Sequence, residues 1–195
     1  MTISHEQLGC HKSSPFSMRR VRALDLLAAY RNGDRHFRDI NLSESNLFAA
    51  DLRDIDLTAS DLTSTYLPYA NLSKACLYRV CLFQVELGDA TLYQTNLTAA
   101  DLRGVNLTRA NLRGANLRGA NLRGANLQGA DLFNADLTES DLRDADFSRT
   151  NLELARFVGA DVRGSNFFRS RDLDLTGARG DSTTVQPDGY RSNFP

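Results

Sequence analysis

The residues that could carry chemistry are few and far apart. Histidine occurs only at His5, His11 and His36, and cysteine only at Cys10, Cys76 and Cys81. Neither set has metal-ligand spacing, and an odd, sparse cysteine count reads as reduced thiols in a cytosol rather than as a disulfide framework. Acid–base catalysis needs carboxyl groups whose surroundings drive their pKa values apart. Asp and Asn are abundant here, but they recur as ladders along the chain, and no phosphate-cradling glycine loop accompanies them. No catalytic, cofactor-binding or metal-binding residue is expected, and the chain does not read as an enzyme. Recognition is the chemistry left. Arg103, Arg123, Arg143 and Arg163 stand twenty residues apart, a spacing that suits a strip for an anion or an acidic partner. Tyr66, Tyr69, Tyr78, Phe83 and Tyr93 put aromatic surface into an otherwise polar stretch, the residue type that contiguous interfaces favour.

What must position these side chains is a five-residue period. From Ala110 to Gly129 the chain reads A-N-L-R-G three times and then A-N-L-Q-G. Leucines five apart on an α-helix rotate by about 500° between copies and cannot share one face. On a straight strand an odd step sends successive leucines to opposite sides. A common interior therefore requires the chain to turn every five residues, which makes a coil. From Phe37 to Phe167 every fifth residue is Leu, Phe or Val, giving 27 units without insertion or deletion. A small or β-branched residue stands two places before this centre in 26 of them. Burial of each central side chain contributes roughly 1.5–3 kcal/mol, and its small companion also points inward, where facing walls leave little room. The residue just before the centre is most often Asn or Asp, types that bond nearby backbone and favour turns. The two residues after the centre face outward, and glycines at the second of them, such as Gly119 and Gly124, suit a corner with φ > 0.

This A-[DN]-L-x-x phrase resembles the pentapeptide-repeat family over residues 35–169, and the run D-L-L-A-A-Y-R-N-G-D-R-H-F before it resembles the N-terminal cap of cyanobacterial members. The resemblance implies an all-β solenoid, a right-handed quadrilateral β-helix with four units per coil and one N-terminal capping α-helix. Twenty-seven units then make about seven coils, a rod of roughly 32 Å at about 4.8 Å per coil. The family includes gyrase inhibitors and a heterocyst-regulating protein, so the resemblance implies a fold more firmly than a function.

The remainder of the chain is read against that rod. Residues 1–16 are polar and unpatterned and are expected to form a flexible tail. Residues 17–34 predict the capping helix, with Ser17 as N-cap, Gly33 as stop, and a stripe of Met18, Val21, Leu24, Leu27 and Tyr30 widened by Leu26. Such a helix covers the open end that a solenoid must protect. Beyond residue 169 the frame slips, Leu173 falling one place late, so 170–195 predicts degenerate final strands and, from Asp181, a polar tail. No apolar run has the length of a membrane span or the character of a signal peptide, and a cytoplasmic location is expected.

If residues twenty apart stack, the outer surface follows from the sequence. Asp101, Asp141 and Asp161 stand two places before three of the arginines, with Asn121 before the fourth, so a self-neutralised ladder competes with an anion strip. The aromatics map onto all four sides as a belt around the second and third coils. The reading that fits best is a non-catalytic repeat scaffold for protein–protein interaction, with a regulatory role and an unidentified protein partner. No membrane or nucleic acid is expected as a partner, and the chain reads as a monomer or a weak end-to-end dimer. The alternative is a DNA-mimic inhibitor of DNA gyrase, as the resemblance allows. Residues 35–169 hold 17 acids and 15 bases, whereas about 32 Å of duplex presents roughly 19 negative charges. The resemblance to those inhibitors also lacks their hydrophobic C-terminal dimerisation helix.

Overall fold

The computed structural model describes residues 18–191. Parallel β-bridges join residues twenty apart in an unbroken ladder from His36↔Asp56 to Asn151↔Arg171. Four five-residue units therefore complete each turn of a quadrilateral β-helix. The four faces are identified here by their central residues: Leu57 and Leu77 on the first, Leu62 and Leu82 on the second, Leu47 and Leu67 on the third, Leu52 and Leu72 on the fourth. Every central side chain from Leu42 to Phe167 is buried.

Each corner has one geometry. In Leu42–Ser45 the N–H of Ser45 donates to the Leu42 carbonyl at 3.1 Å while Glu44 sits at φ +60°. An i→i+3 bond with φ > 0 at the third residue is a type II turn. The same position has positive φ in every unit, but glycine fills it in only a minority, Gly104 and Gly119 among them. Residues such as Leu154 (φ +60°) and Arg109 (φ +56°) adopt the left-handed conformation against their own preference, and at Arg109 the N–H donates to the Gln128 carbonyl of the next coil at 3.0 Å. Asn or Asp before the centre supports the turn, as when Asn116 Oδ1 accepts from the Arg118 N–H at 3.1 Å. At Leu67 the following residue is Pro68, which has no N–H to give, and the preceding position is released to Tyr66.

Most hydroxyls inside the coil are paired; the buried Ser170 hydroxyl, at the end of the regular ladder, is not. The hydroxyls of Thr65, Thr95, Thr150 and Ser165 donate to the carbonyls of Leu42, Leu72, Leu127 and Leu142, each 23 residues back, at 2.7–3.1 Å. Towards the far end phenylalanine replaces leucine, and Phe147, Phe157 and Phe167 contact one another with ring centroids 5.1–6.3 Å apart.

Both ends depart from the sequence reading. The helix α1 spans Ala23–Arg31, not residues 17–34. Before it, β1 (Arg19–Arg20) runs parallel to β2 (Ile40–Asn41) and extends the first coil's ladder outward. With the helix starting at Ala23, the inward stripe becomes Ala23, Leu26, Leu27 and Tyr30 at i, i+3, i+4 and i+7. Leu26 is buried and packs on the core, whereas Leu24, expected in the stripe, is 77% exposed. Gly33 at φ +102° ends the helix as expected, its N–H donating to Tyr30 and that of Asp34 to Ala29, a Schellman motif. The expected N-cap Ser17 and the tail 1–16 lie outside the described residues.

At the other end, the stretch expected to be a polar tail from Asp181 lies against the last coil as far as Arg191. Residues 171–178 bulge, and the ladder resumes with Asp161↔Arg179 and Asn166↔Val185, separations of 18 and 19 instead of 20. Thr184 is buried and its hydroxyl donates to the Val162 carbonyl at 3.0 Å. The chain then doubles back through Gln186–Tyr190 so that Val185 and Arg191 pair antiparallel. The frame slip hides this coil because no Leu stands at its centre.

Candidate functional site: two outer faces

The arginine column lies on the second face and is closed upon itself. Arg103 forks onto Asp101 at 2.6 and 2.8 Å, Arg143 onto Asp141 at 2.6 and 2.8 Å, and Arg163 onto Asp161 at 2.6 and 2.9 Å. Arg143 also lies 3.9 Å from Asp161 in the next coil. These guanidiniums hold the Asp141 and Asp161 carboxyls below the usual carboxylate range, through hydrogen bonding first and charge attraction after it. Arg123 differs because Asn121 precedes it. Its side chain reaches instead to Asp144 at 3.5 Å, and only its backbone N–H bonds Asn121. Arg103 is further shielded beneath, with its guanidinium 5.4 Å from the centre of the Phe83 ring.

The aromatic residues stand on all four faces, but only two of them belong to a ring cluster. Tyr66 and Tyr69 join Phe48, which the sequence reading did not single out, in one cluster on the third face. Phe48 stacks on Tyr66 with ring centres 6.1 Å apart and meets Tyr69 edge-on at 5.7 Å. All three are exposed, at 53, 45 and 58%. Phe83 and Tyr78 are half-buried, each under an arginine: Arg103 for the first, Arg79 at 5.2 Å for the second. Tyr93 is 39% exposed on the fourth face and touches no other ring among the described residues.

The signal for Phe48 lies in a separation of 18. A residue just after a centre reaches the one just before the centre in the next coil, as Arg38 reaches Asp56 at 2.6 Å, Arg113 reaches Asp131 at 3.0 Å and Thr58 reaches Cys76 at 3.3 Å. Phe48 and Tyr66 are another such pair. Mapping by twenty alone assigns faces but misses this contact.

Beside the cluster, a cleft of about 470 Å³ opens between α1 and the first coil, bordered by Leu27, Tyr30, Arg31, Phe48, Ala49 and Asp51. Tyr30 fixes its floor, donating from its hydroxyl to the Arg53 carbonyl at 2.8 Å while Arg35 stacks on its ring at 3.9 Å.

Other candidate chemistry does not converge. His36 stands at the rod's edge, 82% exposed, with Nδ1 3.8 Å from Asp56. Among the described residues no group of three or more His, Cys, Asp or Glu is placed to hold a metal, and no helix is long and apolar enough to cross a membrane. Cys76 is a free thiol with its Sγ 3.3 Å from the Thr58 hydroxyl, and Cys81 is buried with its Sγ 3.2 Å from the Thr63 hydroxyl.

No curated protein matches the chain. Among solved structures it is similar to QnrB1, a plasmid-mediated fluoroquinolone resistance protein, over 77% of this chain and 86% of that one at 16% identity and a TM-score of 0.56. That level of identity speaks to the fold alone. It is also similar to HetL of Nostoc sp. strain PCC 7120, a pentapeptide repeat protein involved in heterocyst differentiation regulation, at 28% identity, covering 88% of this chain and 100% of that one with a TM-score of 0.32. A thylakoid-lumen pentapeptide repeat protein of Arabidopsis thaliana matches at 24% identity over 69% of this chain and 75% of that one, TM-score 0.29. The family described as pentapeptide repeats (8 copies) matches residues 45–84, 90–129, 100–138 and 130–167. With that match covering more than half its length, and with a ladder closing every twenty residues, the chain belongs to the pentapeptide-repeat family, whose members form right-handed quadrilateral β-helices.

Proposed function

We propose that the protein is a non-catalytic scaffold that another protein recognises, with a regulatory role, working as a monomer or weak end-to-end dimer in the cytoplasm. The observation that supports this reading is the Phe48–Tyr66–Tyr69 cluster. Three rings, with Phe48 touching both tyrosines, are left open to water on a rod whose other prominent surface feature, the arginine column, is forked by its own aspartates at three of its four arginines. Exposed apolar surface gathered in one place costs solubility, and a partner that covers it recovers the free energy of burial.

Gyrase inhibition by DNA mimicry is the competing reading. The near balance of acids and bases weighs against it, since a mimic needs dense negative charge along its length. Affinity capture with the full chain from its native cell, followed by cross-linking, tests the scaffold: one stoichiometric protein partner is expected, and its absence at near-native concentration overturns the reading. In a supercoiling assay no inhibition is expected, and potent inhibition would replace the scaffold with the mimic.

A further inference from the structure

We propose that the cleft between α1 and the first coil, together with the adjoining Phe48 ring, is a docking site for a short segment of a partner protein in which an apolar side chain stands next to a carboxylate. The inference rests on the scaffold reading and goes further by naming where the partner binds and what chemistry it presents.

Three observations select that occupant. The first is shape and lining. The cleft is about 470 Å³, within the ordinary range of roughly 300–1,000 Å³ for binding pockets, and Leu27, Ala49 and the faces of Tyr30 and Phe48 give it apolar walls. The second is continuity. Phe48 borders the cleft and also stacks on Tyr66, so a segment seated in the cleft runs directly onto exposed rings.

The third is charge. Asp51 borders the cleft, but Arg53 holds its carboxylate in a two-pronged bond at 2.7 and 2.8 Å. Arg31, in the last turn of α1, makes no side-chain hydrogen bond or ion pair among the described residues and is exposed. The uncompensated charge at the rim is therefore positive. A carboxylate on the incoming segment pairs with it directly, whereas a basic segment would have to displace Arg53 from Asp51 before it found an anion. A second copy of this chain would need to present such a segment, and none of the described exposed apolar residues lies in an extended stretch free of the coil.

The test uses a library of random twelve-residue peptides displayed on phage and selected against the full chain, with recovered peptides then synthesised and titrated by fluorescence anisotropy. Recovered sequences are expected to place Leu, Phe or Trp within two residues of Asp or Glu. Phe48→Ser and Arg31→Glu should each weaken binding roughly ten-fold or more, and Arg31→Lys should retain most of it. Arg123→Glu and Tyr93→Ala should change nothing. Both decisive positions are exposed, and an unchanged circular dichroism spectrum shows that each variant keeps its fold. The proposal is overturned if no sequence is enriched, if the enriched ones are basic, or if binding ignores Phe48→Ser. Concentration-dependent dimerisation abolished by Phe48→Ser would also overturn it in favour of self-association. A captured partner that survives Phe48→Ser and Arg31→Glu but is lost with Arg123→Glu would remove the cleft and leave the scaffold standing.

Discussion

The second and third faces of the rod share one backbone and differ only in what their side chains do with each other. On the second face, above the ring of Phe83, arginine and aspartate alternate so that three of four guanidiniums are forked by a carboxylate of their own unit. On the third, Phe48, Tyr66 and Tyr69 pack together but leave their outer surfaces in water. Because the repeat fixes every corner, a column of side chains can be charged or apolar without cost to the coil. Like charges stacked about 4.8 Å apart repel by about 0.9 kcal/mol even at the dielectric of water, so an arginine column persists by carrying its counter-ions within it. An aromatic cluster has no such internal remedy, and only a second surface completes it. The more conspicuous pattern in the sequence is thus the more self-sufficient one.

The sharpest way to break the contrast is within the third face itself. Leu47 is 1% exposed and Phe48, its neighbour, 53%. Leu47→Ala removes side-chain volume that the rigid walls of the coil cannot close over and is expected to cost about 2–5 kcal/mol. Phe48→Ser gives up only ring contacts with Tyr66 and Tyr69 and should cost under about 1 kcal/mol. Urea denaturation of both variants measures the difference. Comparable losses would mean that Phe48 serves the fold, and the case for an interaction surface would fall with it.

The second face is tested with acid. Asp141 and Asp161 have folded-state pKa values below that of an unfolded aspartate, about 3.9. A carboxyl shifted in that direction contributes stability that is fully present above the unfolded value and is lost as pH falls through the folded one. The midpoint of urea denaturation should therefore be level from pH 7 to about pH 5 and decline below about pH 4. In Asp161→Asn, which abolishes the fork with Arg163 and the attraction to Arg143, stability at pH 7 should drop by about 1 kcal/mol and the acid decline should be shallower. An unaltered acid profile in that variant would show that the column adds nothing to the folded state.

The repeat was legible in the sequence because one side chain in five must be apolar for the coil to have an interior at all. The pattern therefore survives every substitution on the outside. What was hidden follows from the same physics. The capping helix starts at Ala23 because Arg19 and Arg20 complete a ladder, and that demand arises from Ile40 and Asn41 across the coil, not from their own neighbours. The final coil was obscured because its centre is not leucine and its returns are 18 and 19 residues long. Phe48 is hard to see beside Tyr66 and Tyr69, since a step of twenty reports which face a residue occupies and only a step of eighteen reports which side chain it touches. The arginine column was visible at once, and so were the aspartates that neutralise it.

The smallest expected effect separates members of that column. Arg143 is forked by Asp141 and lies near Asp161, while Arg123 follows Asn121 and contacts only Asp144, at 3.5 Å, a carboxylate in the next coil that is itself 61% exposed. A long side chain held by one distant, solvated partner gains little, because ordering it offsets most of the attraction. Arg123→Gln is expected to change stability by under about 0.3 kcal/mol, and Arg143→Gln by about 0.5–1 kcal/mol. Raising the ionic strength to 1 M, where the screening length falls to about 3 Å, should shrink the difference between the two variants. If Arg123→Gln instead proves the more damaging, its contact with Asp144 is tighter in solution, and the second face is continuously paired from coil to coil rather than unit by unit.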